Sequence, residues 1–172
     1  MDRQQPERRQ PSQSLSNIVG KLRMFQGLSP SESTIVLKAC DYKAYEPKEV
    51  IYQAGDPGKE MLILLQGQLR VLGEAGTELG VIASGACCGE MGLFTGQPRS
   101  ATIVSEGKSS GFVITRSQLD GALRMAPETH VKILQNIIAM ISERLAGADM
   151  QIESYAGRLQ KAEDKRGMIG GA

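Results

Sequence analysis

Apolar residues recur along this chain with two different periods. Leu15, Ile18, Val19, Leu22 and Phe25 fall at helical spacing behind Ser14 or Ser16 as cap, and Ser29-Pro30-Ser31-Glu32 opens a second short helix with Ile35, Val36 and Ala39 on its apolar side. The period then changes. Lys43–Glu46, Val50–Tyr52, Met61–Gln66, Gln68–Leu72, Glu78–Ile82, Ala101–Ser105 and Ser110–Ile114 are short segments, several of them β-branched. They are divided by turn residues at Glu46-Pro47, Gly55-Asp56-Pro57-Gly58, Gly67, Gly73 to Gly76 and Gly85. Strands this short and this closely spaced close into a jelly-roll-type β barrel. Met61 to Leu65 is apolar on both faces, which predicts a central strand.

The helical period returns at Ser117. Leu119, Leu123 and Met125 mark a short helix, and Pro127-Glu128 opens a long one. Along it Leu134, Ile138, Ile141, Leu145, Ala148, Ile152, Tyr155, Leu159 and Ala162 alternate by four and three, the repeat of a coiled-coil seam. Gly147 and Gly157 each weaken that helix by about 1 kcal/mol relative to alanine, and Gly147 is placed to act as a hinge. The expected organisation is a polar, disordered tail over 1–14, too poor in apolar residues to order itself. A β-barrel domain with N-terminal helices follows over 15–126, then a long C-terminal helix over 127–165 and a frayed end over 166–172. The fold class is mainly β with flanking α.

Composition narrows the possible partners. The chain has 172 residues, room for one core and an appended element, and its 20 basic and 19 acidic residues leave a net charge of +1. That balance argues against nucleic acid or an anionic membrane as the main partner, since either favours a basic excess. No apolar run reaches membrane-spanning length and no signal-peptide pattern opens the chain, so a cytoplasmic location is expected. The three cysteines, Cys40, Cys87 and Cys88, have no metal spacing and suit a reducing compartment. Cys87 and Cys88 read as small buried hydrophobes, with a thiol sensor as the alternative. No acid–base pair or metal-ligand cluster stands out, so neither an enzyme nor a metal site is expected.

One stretch carries a chemical pattern: Gly89-Glu90-Met91-Gly92-Leu93-Phe94-Thr95-Gly96-Gln97-Pro98-Arg99-Ser100-Ala101-Thr102. Its glycines let the backbone turn tightly and bring N–H groups close to an anion. Arg99 offers a planar fork for two phosphate oxygens, and Glu90, acceptor only, suits a hydroxyl. A ligand with both a phosphate and a sugar hydroxyl answers this set, and a nucleotide has both. The same residues also suit a bland reading, an exposed ion pair in a glycine-rich turn.

The stretch resembles the phosphate-binding cassette of the cyclic nucleotide-binding domains, most closely those of the catabolite activator protein group. Phe25-Gln26-Gly27-Leu28-Ser29 and Gly55-Asp56-Pro57-Gly58 through Gly67 also fall where that family has them, and the resemblance runs from about Ile18 to Leu159. It implies that Glu90, which follows Gly89, binds the ribose 2′-hydroxyl and that Arg99 and the Ser100 side chain bind the cyclic phosphate. The amides of Met91, Gly92 and Ala101 would complete the anion nest, and Val71 would line the pocket against ribose or base. Ala148 and Asp149 stand where the activator uses a threonine and a serine on adenine across its dimer, and Asp149 suits an exocyclic amine of adenine or guanine. Ser100 after the cassette arginine favours cAMP over cGMP. The resemblance thus implies a sensor domain with its dimerisation helix and without a DNA-binding domain. It would form a homodimer that answers a cyclic nucleotide and passes occupancy to a separate, unidentified protein. A ligand-free dimerisation or docking module of the same fold and a cyclic dinucleotide receptor are the alternatives.

Overall fold

The described residues form eight strands between 41 and 115: β1 Asp41–Tyr45, β2 Val50–Tyr52, β3 Glu60–Gln66, β4 Gln68–Leu72, β5 Glu78–Ala83, β6 Cys87–Cys88, β7 Thr102–Ser105 and β8 Ser109–Thr115. They come from a computed structural model that describes residues 19–169, with side chains from 19 to 161. All pairing is antiparallel, in two four-stranded sheets of order β1-β8-β3-β6 and β2-β7-β4-β5. This is the jelly-roll arrangement expected from the strand spacing. β6 is the strand that the sequence pattern did not show, because two adjacent cysteines offer no alternation to read.

The interior between the sheets is filled by side chains from both. Tyr45, Tyr52, Leu62, Leu64, Leu69, Ile82, Cys88, Ile103 and Val113 form one cluster, with Ile51, Val71 and Ala86 packed against it. β3 lies between β8 and β6, and Met61 and Ile63 on its other face are as fully enclosed as Leu62 and Leu64. Each such side chain contributes about 1.5–3 kcal/mol on leaving water, which makes β3 the central strand.

The helices are α1 Pro30–Leu37, α2 Glu90–Thr95, α3 Arg116–Leu123 and α4 Pro127–Ile169. α1 starts as expected: the Ser29 side chain accepts from the Glu32 N–H while Glu32 accepts from the Ser29 N–H, a reciprocal cap. Its buried side is narrower than expected, since Val36 is enclosed but Ile35 is exposed and Ala39 lies past the end of the helix. The helix expected from Leu15 through Phe25 is also corrected. Leu22 is extended and only a 3-10 turn, Arg23–Phe25, follows, because the Arg23 N–H leaves the helix to donate to the Gly85 carbonyl at 3.0 Å. The earlier part of that stretch, and the tail over 1–14, lie outside the described residues.

The first of two compact units ends at Asn136. Within it Glu32 accepts from Thr129 Oγ1 and Lys132 Nζ, both at 2.9 Å, and Asn136 Nδ2 donates to the carbonyls of Met24 and Gln26. The start of α4 is thereby clasped to α1 and to the turn before it. The second unit begins at Ile137 and carries α4 onward through Gly147 and Gly157 to Ile169, four residues beyond the expected Lys165, with 170–172 outside the described residues. In it Ile138, Leu145, Ile152, Tyr155 and Leu159 of the apolar stripe are exposed.

The clasp on Glu32 makes stability depend on pH. Bonds from the Ser29 N–H first, then from Lys132, the Ser29 hydroxyl and Thr129, hold its carboxyl down from 4.5 to about 2. A lowered folded pKa adds stability above about 4.5 that is lost as pH falls towards about 2. Thermal denaturation of Glu32→Gln should therefore show a Tm below wild type at pH 6 and a gap that closes between pH 4.5 and pH 2. A gap independent of pH would contradict the clasp.

Candidate functional site

The stretch 89–102 is held between strands at both ends. β6 leads into it through Gly89, whose φ of 82° places it in the left-handed region that costs glycine least, and β7 leads out from Thr102. The backbone nest expected here is in fact a short helix, α2, closed at its far end by Gly96, also left-handed. The Leu93 N–H is the first to bond within it, to the Gly89 carbonyl at 3.2 Å. The amides of Met91 and Gly92 therefore belong to the first turn, whose N–H groups have no partner inside a helix. Periodicity did not reveal this helix because Gly92 sits in its middle and glycine is a poor helix former.

The returning limb of the stretch lies along the turn Gly55-Asp56-Pro57-Gly58. The Arg99 N–H donates to the Asp56 carbonyl at 2.8 Å, the Gly55 N–H donates to the Arg99 carbonyl at 2.9 Å, and Pro57 pairs with Pro98. Thr102 Oγ1 accepts from the Ala54 N–H at 3.1 Å and from Gln53 Nε2 at 3.2 Å. α2 comes so close that a Cβ on Gly58 would stand 2.5 Å from Gly92 Cα and 2.7 Å from the Gln97 oxygen. Only glycine allows this contact.

This docking fixes Arg99. Its side chain, 8% exposed, sends Nη1 to the Gly89 carbonyl at 3.0 Å and Nη2 to the Glu60 carbonyl at 2.6 Å. Its guanidinium carbon lies 3.6 Å from the centre of the Tyr52 ring. All three neighbours are neutral. The ion pairs Lys43–Glu60, Arg70–Glu78, Arg116–Asp120 and Lys132–Glu32 lie elsewhere. A guanidinium also has more N–H donors than two carbonyls use. Here then is a rigid, enclosed cation with donors to spare.

The other expected residues are placed as follows. Glu90, at the first position of α2, is 2% exposed, with Cys87 Sγ 4.0 Å from its Oε2. The Met91 side chain and Ser100 are exposed, and Ala101 is half-buried. Val71 pairs with Ile103 and Gly80 across β4 and packs against the interior cluster that holds Tyr52. Asp149 is exposed and belongs to the second unit. Cys87 and Cys88 are both buried, and Cys88 is part of the interior cluster. Sequence reasoning missed Tyr52 and the Glu60 carbonyl, which hold Arg99. A tyrosine two residues before the Ala54-Gly55 turn was the available signal, but nothing in its spacing points to position 99. Among the described residues no group of His, Cys, Asp or Glu is arranged to hold a metal, and no helix is long and apolar enough to cross a membrane.

The site is thus an enclosed arginine at the end of a short glycine-rich helix-turn on a jelly roll. Comparison with known proteins gives the family: residues 42–125 match the cyclic nucleotide-binding domain. The chain is 30% identical over 118 residues, 66% of its length, to human cyclic nucleotide-gated channel beta-1, of which it covers 9%. Among solved structures, a cyclic nucleotide-binding domain from Methylobacillus flagellatus is 26% identical with a TM-score of 0.70, covering 77% of this chain and 76% of that one. The catabolite activator protein of Thermus thermophilus is 25% identical with a TM-score of 0.66, over 78% of this chain and 63% of that one. This chain therefore carries a domain of the cyclic nucleotide-binding family. It covers 8% of bovine cyclic nucleotide-gated channel beta-1 and 30% of mouse cyclic nucleotide-gated channel alpha-4, so it spans only a minor part of the length of these relatives.

The contact at Gly58 yields a direct test. Gly58→Ala should force apart two backbone segments and cost about 1–3 kcal/mol in urea denaturation. An unchanged midpoint would mean that the two segments do not meet.

Proposed function

We propose that this chain is a non-enzymatic cyclic nucleotide receptor of the cytoplasm, with cAMP favoured over cGMP. The observation that carries the reading is Arg99, a buried cation held by two backbone carbonyls and the face of a tyrosine ring, beside the first-turn amides of α2. An anion at this place would gain charge-assisted bonds from a donor group that is already oriented. In this reading Arg99 and Ser100 take the cyclic phosphate, together with the amides of Met91, Gly92 and Ala101. Glu90 accepts from the ribose 2′-hydroxyl, Val71 packs against the ribose or base, and Gly89 supplies the turn. Asp149 of one chain accepts from the base amine bound by its partner in a homodimer. The match to the cyclic nucleotide-binding domain and the likeness to a cyclic nucleotide-gated channel and to the Methylobacillus flagellatus cyclic nucleotide-binding domain support a cyclic nucleotide as ligand.

The exposed apolar stripe of α4 supports pairing of two chains through this helix. Ile138, Leu145, Ile152, Tyr155 and Leu159 offer a continuous surface that a second copy would cover. Ligand would then act on a partner protein through the order of this helix, and only by as much as its affinity differs between the two helix arrangements.

Binding assays on two variants test the site. Arg99→Ala should weaken cAMP binding by about 2–5 kcal/mol, roughly thirtyfold to several thousandfold, because the phosphate would be left enclosed without its cation. Glu90→Gln should cost less, since an amide oxygen still accepts a hydroxyl. Unchanged affinity in Arg99→Ala would end this assignment. For the helix, Ile141→Glu should sediment as a monomer where wild type sediments as a dimer, and a wild-type monomer with and without nucleotide would exclude the dimer.

A further inference from the structure

Tyr52 closes β2 with its ring inside the barrel, 7% exposed. Its hydroxyl is the one buried side-chain oxygen or nitrogen among the described residues without a hydrogen-bond partner. Burial first of all pushes the phenol pKa up, so the group stays neutral. A hydroxyl enclosed without a partner is costly, and an aliphatic side chain would fill a strand position without that cost. The benefit that an aliphatic residue cannot supply is an aromatic face. Over this face lies the Arg99 guanidinium, at 3.6 Å from the ring centre, within the range of a cation–π contact. Gly89 makes room for the stack, because a Cβ there would stand 2.5 Å from Arg99 Nη1 and 3.0 Å from Tyr52 Cε2. Two carbonyls at the guanidinium's edge and one ring on its face fix the plane of the group.

We propose that Tyr52 is a positioning residue of the anion site: its ring is the platform that holds the Arg99 fork in its binding orientation before ligand arrives. The proposal rests on the reading of Arg99 as the phosphate-binding cation. Orientation set in advance lowers the cost of ordering this side chain on binding, so the platform acts on affinity through Arg99 alone. The hydroxyl has no part in this.

Two measurements on the full chain test the platform. In the ligand-free protein, NMR should find the Arg99 side-chain protons shifted upfield by the ring beneath them in wild type and in Tyr52→Phe, with the shift lost in Tyr52→Leu. Wild-type resonances without the upfield shift would overturn the proposal, whether or not any variant folds. By calorimetry Tyr52→Phe should bind cAMP as wild type does, and Tyr52→Leu roughly three- to thirtyfold more weakly. In an Arg99→Gln background, Tyr52→Leu should have no further effect, because the group it positions is gone. An equal loss in both backgrounds would mean that Tyr52 serves the barrel alone, and would overturn the proposal. A folded wild type that binds no cAMP would contradict the receptor reading, and the Arg99 resonances would then decide the platform by themselves.

Discussion

The burial of one guanidinium constrains everything around it. A cation taken out of water must be met by oriented acceptors, and Arg99 is met by carbonyls from two separate places in the chain, Gly89 at the start of the cassette and Glu60 at the start of β3. Its backbone is meanwhile bonded on both sides to the turn at Gly55 and Asp56. Two stretches far apart in sequence, 55–60 and 89–99, therefore meet at one residue. The glycines follow from this: position 89 must leave space for the guanidinium, and position 58 must let α2 lie against the turn. The jelly roll provides the rigid support, since the strands on both sides of the cassette are paired within sheets whose shared interior contains Tyr52, Leu62 and Ile103.

The cassette is also in contact with the helical part of the first unit. Phe94 of α2 lies under Arg116, whose guanidinium carbon is 5.3 Å from the ring centre and which pairs with Asp120 in α3. α3 packs on α1, and α1 is clasped through Glu32 to Thr129 and Lys132 at the start of α4. A run of contacts of this kind is not by itself a signal. Coupling requires an element with two arrangements that ligand stabilises unequally. The helix beyond Asn136 is the element proposed here for that role.

Much of this architecture was legible because it depends on local pattern. Seven of the eight strands could be placed from short β-branched runs between glycine and proline turns, and the reciprocal cap of α1 from Ser29 and Glu32 three residues apart. What escaped was set by contacts remote in sequence. Leu22 leaves helical geometry because Gly85, far along the chain, offers a carbonyl to Arg23. β6 exists only because β3 pairs with it, and α2 tolerates Gly92 because only glycine can pass Gly58 so closely. At the site, residue type marks Arg99 as a forked cation and Glu90 as an acceptor. The burial of both, and the Tyr52 ring under the arginine, were not legible, since a side chain's surroundings depend on which strands become neighbours.

The central claim is that the enclosed cation is a receptor site for a cyclic nucleotide. Titration calorimetry of the purified chain with cAMP, cGMP and a cyclic dinucleotide, each over the same concentration range, tests it most directly. The account predicts saturable binding of one cAMP per chain, tighter than cGMP, with little heat from the dinucleotide. A folded protein that gives no binding heat with any of the three would contradict it, and would leave the barrel as a docking module without a ligand.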